Sequence, residues 1–527
     1  RLIAAAGALA VVLSACGGGG KSVPGVPNSG KTSQSSAQTP AQVGAEAIRS
    51  QQSLFGTMVH AVGRTTAASQ GSAFANQRRV RDLGGSLPAI TANILWEVDL
   101  AGKDRMSTNS SQERLQSQRY SDGTSWYLPA FNNAGTLPLY RLWASWLNDH
   151  MDSNNAGEGG FATGPTMGYP FASQVAGTDP VNRFRDPARP NGDHATPPVE
   201  EYPAILNLGY VQEGPMGYGY SRFGGGLGTN ATFAAGGITA QVKRFAGGAV
   251  WSWQWNGQEF VNNTAGLQYV VLGGSIQEAF FYNNGSFVQN PTEAGDGVCC
   301  SPYTSQYLED VHGSPTASFA ITSGGTGAST RSIPLDWDQR PFGASAADQV
   351  VVYKDVQMGK DIQLNYNNMG PVAKWTSYLT LPNAVPGASM EIPTGYMLPD
   401  LNTYWTYDAG SNALTQVQPP LNGDCTTNGP YTFVPATGYG GVIISNPSGT
   451  KAQGVYGAST AVAGSAGYFA LYDFISNNCS FKFSKWDIVT PTQTFPAGTS
   501  TYNAWIVTGS LTSVQQQMNQ LYGQGAR

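Results

Sequence analysis

The sequence predicts a mainly β protein: a small β module, then a large antiparallel β-sandwich that ends in a short C-terminal helix. Three observations predict it. Glycine is abundant at 66 residues and aromatic side chains make up 11% of the chain, a mixture suited to short strands joined by turns. Two-residue alternation recurs at even spacing without intervening helices, which favours a sandwich over a βαβ fold. Helical periodicity is clear only near the end, where Val514, Met518, Leu521 and Tyr522 share one face, Thr512 can cap and Gly523 can terminate.

From the beginning, Arg1 precedes an apolar run from Leu2 to Leu13, then Ser14, Ala15 and Cys16. That run is shorter than the about 20 residues a membrane-crossing helix needs, and it fits the core of a secretory signal. Leu13-Ser14-Ala15-Cys16 resembles the bacterial lipobox, whose cysteine is acylated and becomes the first mature residue. The resemblance implies a signal peptide over 1–16, lipidation at Cys16 and stable anchoring by several acyl chains. Gly17, with no Asp there, resembles lipoproteins sorted to the outer membrane. Residues 17–44 read as a flexible tether, too poor in apolar surface to offset ordering entropy. Residues 45–85 hold at most one helix.

The small module is expected over 86–222, with strands at 94–100 and 125–128. Tyr140-Arg141-Leu142, Asp149-His150, Gly209-Tyr210, Glu213-Gly214 and Gly217-Tyr218 follow in order. Together they resemble a short repeat of unknown function in secreted proteins, running Y-R-L, D-H-F-Y-T, G-Y, E-G, G-Y. Its association with polysaccharide-active enzymes implies a lectin-like module. Met151-Asp152-Ser153 departs from F-Y-T, and 157–201 reads as an insertion rich in Gly, Pro and Asp. Candidate carbohydrate contacts are Tyr140, Arg141, Asp149, His150 and Glu213, with Trp143 as a further platform. The competing reading makes Arg141, Asp149 and Glu213 a buried ion-pair network that locks the module.

Gly224-Gly225-Gly226 marks the boundary to a second domain over 223–527. Ile238, Ala240 and Val242 alternate with Thr239, Gln241 and Lys243. Trp251, Trp253 and Trp255 then share one face, and Asn256-Gly257 is a tight-hairpin signal leading to a return strand at 259–262. Three such indoles serve either the core or a sugar platform, and large aromatics more often serve the core. Further strands are expected at 349–353, 362–366, 375–379, 441–445, 468–474 and 481–486.

The segments from Trp253 to Asn262, Ser275-Ile276-Gln277, Asn290 to Asp296, Glu391 to Tyr396 and Phe495 to Leu511 resemble a galactose-mutarotase-like supersandwich. The resemblance implies a carbohydrate ligand. Aldose epimerases of that fold pair a histidine acid with a glutamate base, whereas this domain has the single histidine His312. Two carboxylates could instead carry glycoside chemistry. The candidate catalytic residues are Glu278, Glu293, Asp296, His312 and Glu391. A lyase could draw on Tyr396, His312 and Arg340.

Charge narrows the classes further. With 28 basic and 33 acidic residues the net charge is −5, and Arg78-Arg79 with Arg81 is the only dense basic cluster, which argues against nucleic acid. Cys299, Cys300, Cys425 and Cys479 suggest two disulfides outside the cytoplasm, one from each of the adjacent pair, with the partners interchangeable. A four-thiol metal site is the alternative, without a C-x-x-C pair to favour it. No cofactor and no metal are expected. The expectation is therefore an outer-membrane lipoprotein that binds carbohydrate. Its rivals are a polysaccharide hydrolase or lyase and a structural envelope protein.

Overall fold

The computed structural model describes residues 87–99, 104–110, 113, 121–189, 192–221, 230–243, 246–263, 275–283, 288–295, 313–337, 349–417, 432–435, 439–458, 468–475 and 482–526. Cys16 and everything before residue 87 lie outside them, as do Asp296, Cys299, Cys300, His312, Arg340, Cys425 and Cys479.

The chain is β-rich, and its large domain is an antiparallel sandwich. Among the described residues one sheet runs, in spatial order, Thr316–Ile321, Gly327–Ser332, Gln357–Gln363, Val372–Leu381, Gly498–Gly509, Ala452–Ala458, Tyr439–Ser445, Thr403–Asp408 and Ala413–Val417. The opposing sheet passes from Asn230–Ala235 through Ile238–Lys243, Ala249–Trp255, Ile276–Asn283, Val385–Met397 and Lys482–Val489 to Tyr468–Ile475. Period-two patterning builds both: in Val372–Leu381, Trp375 and Leu379 are buried while Lys374, Thr376 and Tyr378 are only half-buried. The core between the sheets gathers Trp253, Trp375, Trp486, Ile444, Val455 and Ile506.

Two of the three indoles, Trp253 and Trp255, serve this core. Trp253 is fully buried, its Nε1 donating to Thr508 Oγ1 at 3.0 Å, Trp251 is buried, and Trp255 packs against the cluster. Asn256 and Gly257 take the positive φ (49° and 78°) that their hairpin requires. The return strand is shorter than expected, Gln258–Glu259, because Val261 bridges to Met397 instead. The strand expected at 362–366 lies earlier, at Gln357–Gln363, and gives way to a 3-10 turn at Tyr366–Asn368.

The helix Leu511–Gly523 covers the outer face of the first sheet, where Val514, Met518 and Leu521 pack on Tyr456, Trp505 and Val507. Its cap is Ser510 rather than Thr512: the Ser510 hydroxyl accepts from the Ser513 amide at 3.2 Å. Tyr522 turns out to solvent, and Leu511 packs at the edge of the same cluster.

The head is three small antiparallel groups. Ile90–Asp99 lies between Arg105–Thr108 and Ser121–Pro129; Leu139–Ala144 lies between Asp149–Ser153 and Ala162–Gly168; Asp179–Arg185 lies between His194–Ala195 and Val211–Ser221. Residues 157–201, expected as an insertion, supply one strand of the second group and two of the third. Across the boundary expected at 222/223, Ile90–Asp99 also pairs with Gln349–Val352.

Gly247 shows how tightly the turns are set. At its φ of +61° an added Cβ would stand 1.9 Å from the Glu293 carbonyl oxygen. Gly247→Ala should therefore cost at least about 2 kcal/mol, read as a Tm lowered by several degrees. An unchanged Tm would mean that the Glu293 backbone yields freely.

Candidate functional site

The five residues expected to contact sugar are in place but do not converge on one open face. The Arg141 guanidinium donates to Glu113 Oε2 at 2.8 Å and to the Ser107 carbonyl at 3.2 Å. Asp149, 1% exposed, is held by His194, whose Nδ1 lies 2.7 Å from Oδ2 and whose amide donates to Oδ1 at 3.3 Å. His150 Nδ1 lies 2.6 Å from Asp104 Oδ2, and its ring centroid is 4.3 Å from that of Trp143. Glu213 pairs with Arg183 at 2.7 Å and Arg185 at 3.3 Å. Tyr140 packs against Leu142, Met151 and Phe161. The locking network of the competing reading is the closer description, although its three members bond to other partners and not to one another.

The partners that sequence reasoning missed, Asp104, Asp193 and His194, define the site. Oxygens of Asp104, Asp149 and Asp193, all buried, lie within 4.8 Å of one another. Such crowding of carboxylates is tolerable only when donors answer it. His150 and His194 answer for two. For Asp193, the Arg105 amide donates to Oδ1 at 3.0 Å, while the Tyr210 hydroxyl and Arg189 Nη1, at 3.0 Å, meet Oδ2. Burial and then the Asp193 hydrogen bond push the Tyr210 phenol above its ordinary range, keeping it a donor.

Beside this third aspartate opens a cavity of about 190 Å³, walled by Asp104, Asp186, Asp193, Arg105, Arg189 and Tyr210 with Leu208 at the rim. Arg189 braces it, its Nε standing 3.3 Å from Asp186 Oδ2. The wall offers acceptors and donors in near balance, so it suits a ligand that is uncharged and polar. The signal that could have found it is the second Asp-His dipeptide, Asp193-His194, in step with Asp149-His150.

In the sandwich the catalytic candidates fall into two groups. Glu278 and Glu293 meet at Lys360, all three with no exposure. Lys360 Nζ is 3.7 Å from Glu278 Oε2 and hydrogen-bonds Glu293 Oε1, while Trp375 Nε1 and Ser377 Oγ donate to Glu278 Oε1 at 2.7 and 3.0 Å. Burial, then the charge of Glu293, pushes the Glu278 carboxyl well above the ordinary range. This triad ties the two sheets through the core and presents nothing to a substrate, which removes the pair as a glycoside dyad.

Glu391 belongs to a second group with Lys485 and Asp487. Lys485 Nζ lies 2.9 Å from Glu391 Oε1, 3.1 Å from Asp487 Oδ2 and 5.1 Å from the Tyr396 ring centroid; Thr394 donates to Asp487. Lys485 and Asp487 alternate with Trp486, so the same strand puts its indole into the core and its charges on the opposite face. Burial and then the Glu391 charge raise Asp487 to about 7.

No family model and no curated protein matches the chain. Among solved structures it is similar to a galactose mutarotase-like protein from Clostridium acetobutylicum, at 10% identity and a TM-score of 0.30, covering 53% of this chain and 94% of that one. A putative aldose 1-epimerase from Klebsiella pneumoniae is similar at 9% identity and a TM-score of 0.32, over 55% of this chain and 83% of that one. A GH36 alpha-galactosidase from Geobacillus stearothermophilus is similar at 9% identity and a TM-score of 0.30, over 56% and 42%.

The raised Asp487 carboxyl carries a pH dependence. Between the unfolded value near ~3.9 and about 7 the folded chain keeps a proton that the unfolded chain releases, so stability falls as pH rises through that window. Asp487→Asn should flatten the slope of Tm against pH there. Parallel slopes in variant and parent would remove Asp487 as the titrating group.

Proposed function

We propose that the chain is an exported, lipid-anchored envelope protein that binds carbohydrate through its head, with the sandwich as scaffold. The observation that carries this reading is the cavity of about 190 Å³ beside Asp193. Sugar hydroxyls donate and accept at once. Asp104, Asp186 and Asp193 would accept from them, Arg105 and Arg189 would donate, and Tyr210 with Leu208 offers apolar surface to a ring face. The volume is below the ~300–1,000 Å³ of drug-sized sites and suits one sugar unit of a longer glycan. Both signs of charge on one wall disfavour a strongly anionic or cationic ligand.

A second reading places chemistry at Glu391, Lys485 and Asp487. It is favoured by geometry: Glu391 Oε1 and Asp487 Oδ2 converge on Lys485 Nζ at 2.9 and 3.1 Å.

Glycan arrays followed by calorimetry with the purified chain test the first reading. Arg189→Ala and Leu208→Ala should each weaken binding about tenfold, or ~1.4 kcal/mol. Array silence, or affinity untouched by both changes, would sink it. Turnover of a bound glycan that vanishes in Glu391→Gln would move the assignment to the second reading.

Anchoring through Cys16 is part of the same proposal. Mass spectrometry of the chain taken from membranes should find acyl groups on Cys16, and Cys16→Ser should release it. An unmodified thiol at Cys16 would refute the anchor.

A further inference from the structure

The first two strands of each group in the head pair in equivalent register. Asp99 pairs with Arg105, Trp143 with His150 and Arg185 with His194; one step inward Val98 pairs with Met106, Leu142 with Met151 and Phe184 with Ala195. Asp104, Asp149 and Asp193 therefore hold the same place, and Leu95, Leu139 and Val181, all fully buried, share another. The links between groups repeat too. The amide after each aspartate donates to the aspartate of the preceding group: His150 to Asp104, His194 to Asp149, and Arg105 back to Asp193, at 3.2, 3.3 and 3.0 Å. Outside that ring, Arg141 reaches Glu113 and the Ser107 carbonyl, and Arg183 reaches Glu158 and the Asp152 carbonyl, in matching positions. The three residues that follow each aspartate jointly line one cavity of about 10 Å³.

The first group departs twice. Glu97 stands where the others have Arg141 and Arg183, and Arg105 stands where the others have His150 and His194. The two departures answer each other: Arg105 Nη1 turns to Glu97 Oε1 at 2.9 Å. At the two histidine junctions an imidazole closes on the aspartate. At the third the Arg105 side chain pairs with Glu97, Tyr210 and Arg189 meet the aspartate instead, and the cavity of about 190 Å³ lies there, with Arg105 in its wall.

We infer that the head is three copies of one unit joined into a closed ring, and that Arg105, in place of a histidine, makes the third junction a ligand site. Arg105 is thus the specificity-determining residue of that site, leaving Asp193 and Asp104 beside a space that a polyhydroxylated ligand with adjacent hydroxyls can enter. The ligand class rests on the carbohydrate reading above; the threefold ring does not.

The test is a double-mutant cycle on the full chain, read by Tm and needing no ligand. Arg105→His leaves Glu97 buried without its guanidinium, and Glu97→Arg sets two arginines together, so each alone should lower Tm by several degrees. Combined, they recreate the Arg and His of the other two units, although Tyr202 stands where Glu113 and Glu158 answer the other arginines, so the Tm loss should be clearly smaller than the sum of the single losses. The side-chain N–H signals of the double variant should include a third histidine ring bonded through Nδ1, beside those of His150 and His194. A double variant whose Tm loss equals the sum of the single losses, or without that third signal, would overturn the equivalence of the units. If the ring passes but the double variant binds the parent's glycan unchanged, Arg105 is not the determinant. If no glycan binds the parent at all, only the carbohydrate reading falls.

Discussion

A charge taken out of water inside a β structure must meet its counter-charge or a full set of donors, and this chain is organised by that requirement. Desolvating a carboxylate costs several kcal/mol, and removing one partner of a buried pair costs about 3–5 kcal/mol. Three sets stand out among the acidic groups that the described residues bury: the aspartate ring of the head, the Lys360 triad between the sheets, and the Lys485 group on the far face. Each is answered by lysine, arginine, histidine or indole donors that arrive from another strand. The ion pairs consequently fix which strands lie opposite, something uniform hydrophobic packing specifies less well.

This requirement also explains how far the fold was legible. Alternation in 372–381 or 238–243 reports burial on one face, and burial is local in sequence, so those strands and the sandwich class could be read directly. The hairpin at Asn256-Gly257 was readable because positive φ selects those residues. Pairings such as Ile90 with Val352 bring together segments that carry no mark of each other, so the tie between head and sandwich stayed invisible. The helix cap was missed by two residues because Ser510 and Thr512 are equally able acceptors, and only the turn geometry chooses between them.

The site was legible in its residue types and illegible in its partners. Arg141, Asp149, His150 and Glu213 were named because charged side chains recur in a motif, and all four do take part in the network. What the motif could not show is that Arg141, Asp149 and His150 bond across to a neighbouring copy, while Glu213 bonds within its own. Asp104 left no Asp-His signal because Arg105 follows it, so the first unit was hidden by the substitution that gives it its character. Glu278 and Glu293 were named because they fall in or beside the mutarotase-like motif segments, and sequence alone does not distinguish a carboxylate held for chemistry from one held by Lys360.

A closed ring of equivalent units imposes a further constraint. When every junction is sealed by the same aspartate and imidazole, stability is shared evenly and no surface is left for recognition. Opening one junction forfeits a buried charge-assisted bond, and that loss is bearable only if the freed groups find substitutes. Here Arg105 finds Glu97, while Asp193 finds Tyr210 and Arg189, so the opened junction keeps its charges paired on its inner side. Its outer side is where space is left over. Symmetry supplies the rigidity of the head, and the paired departure from symmetry supplies its concavity.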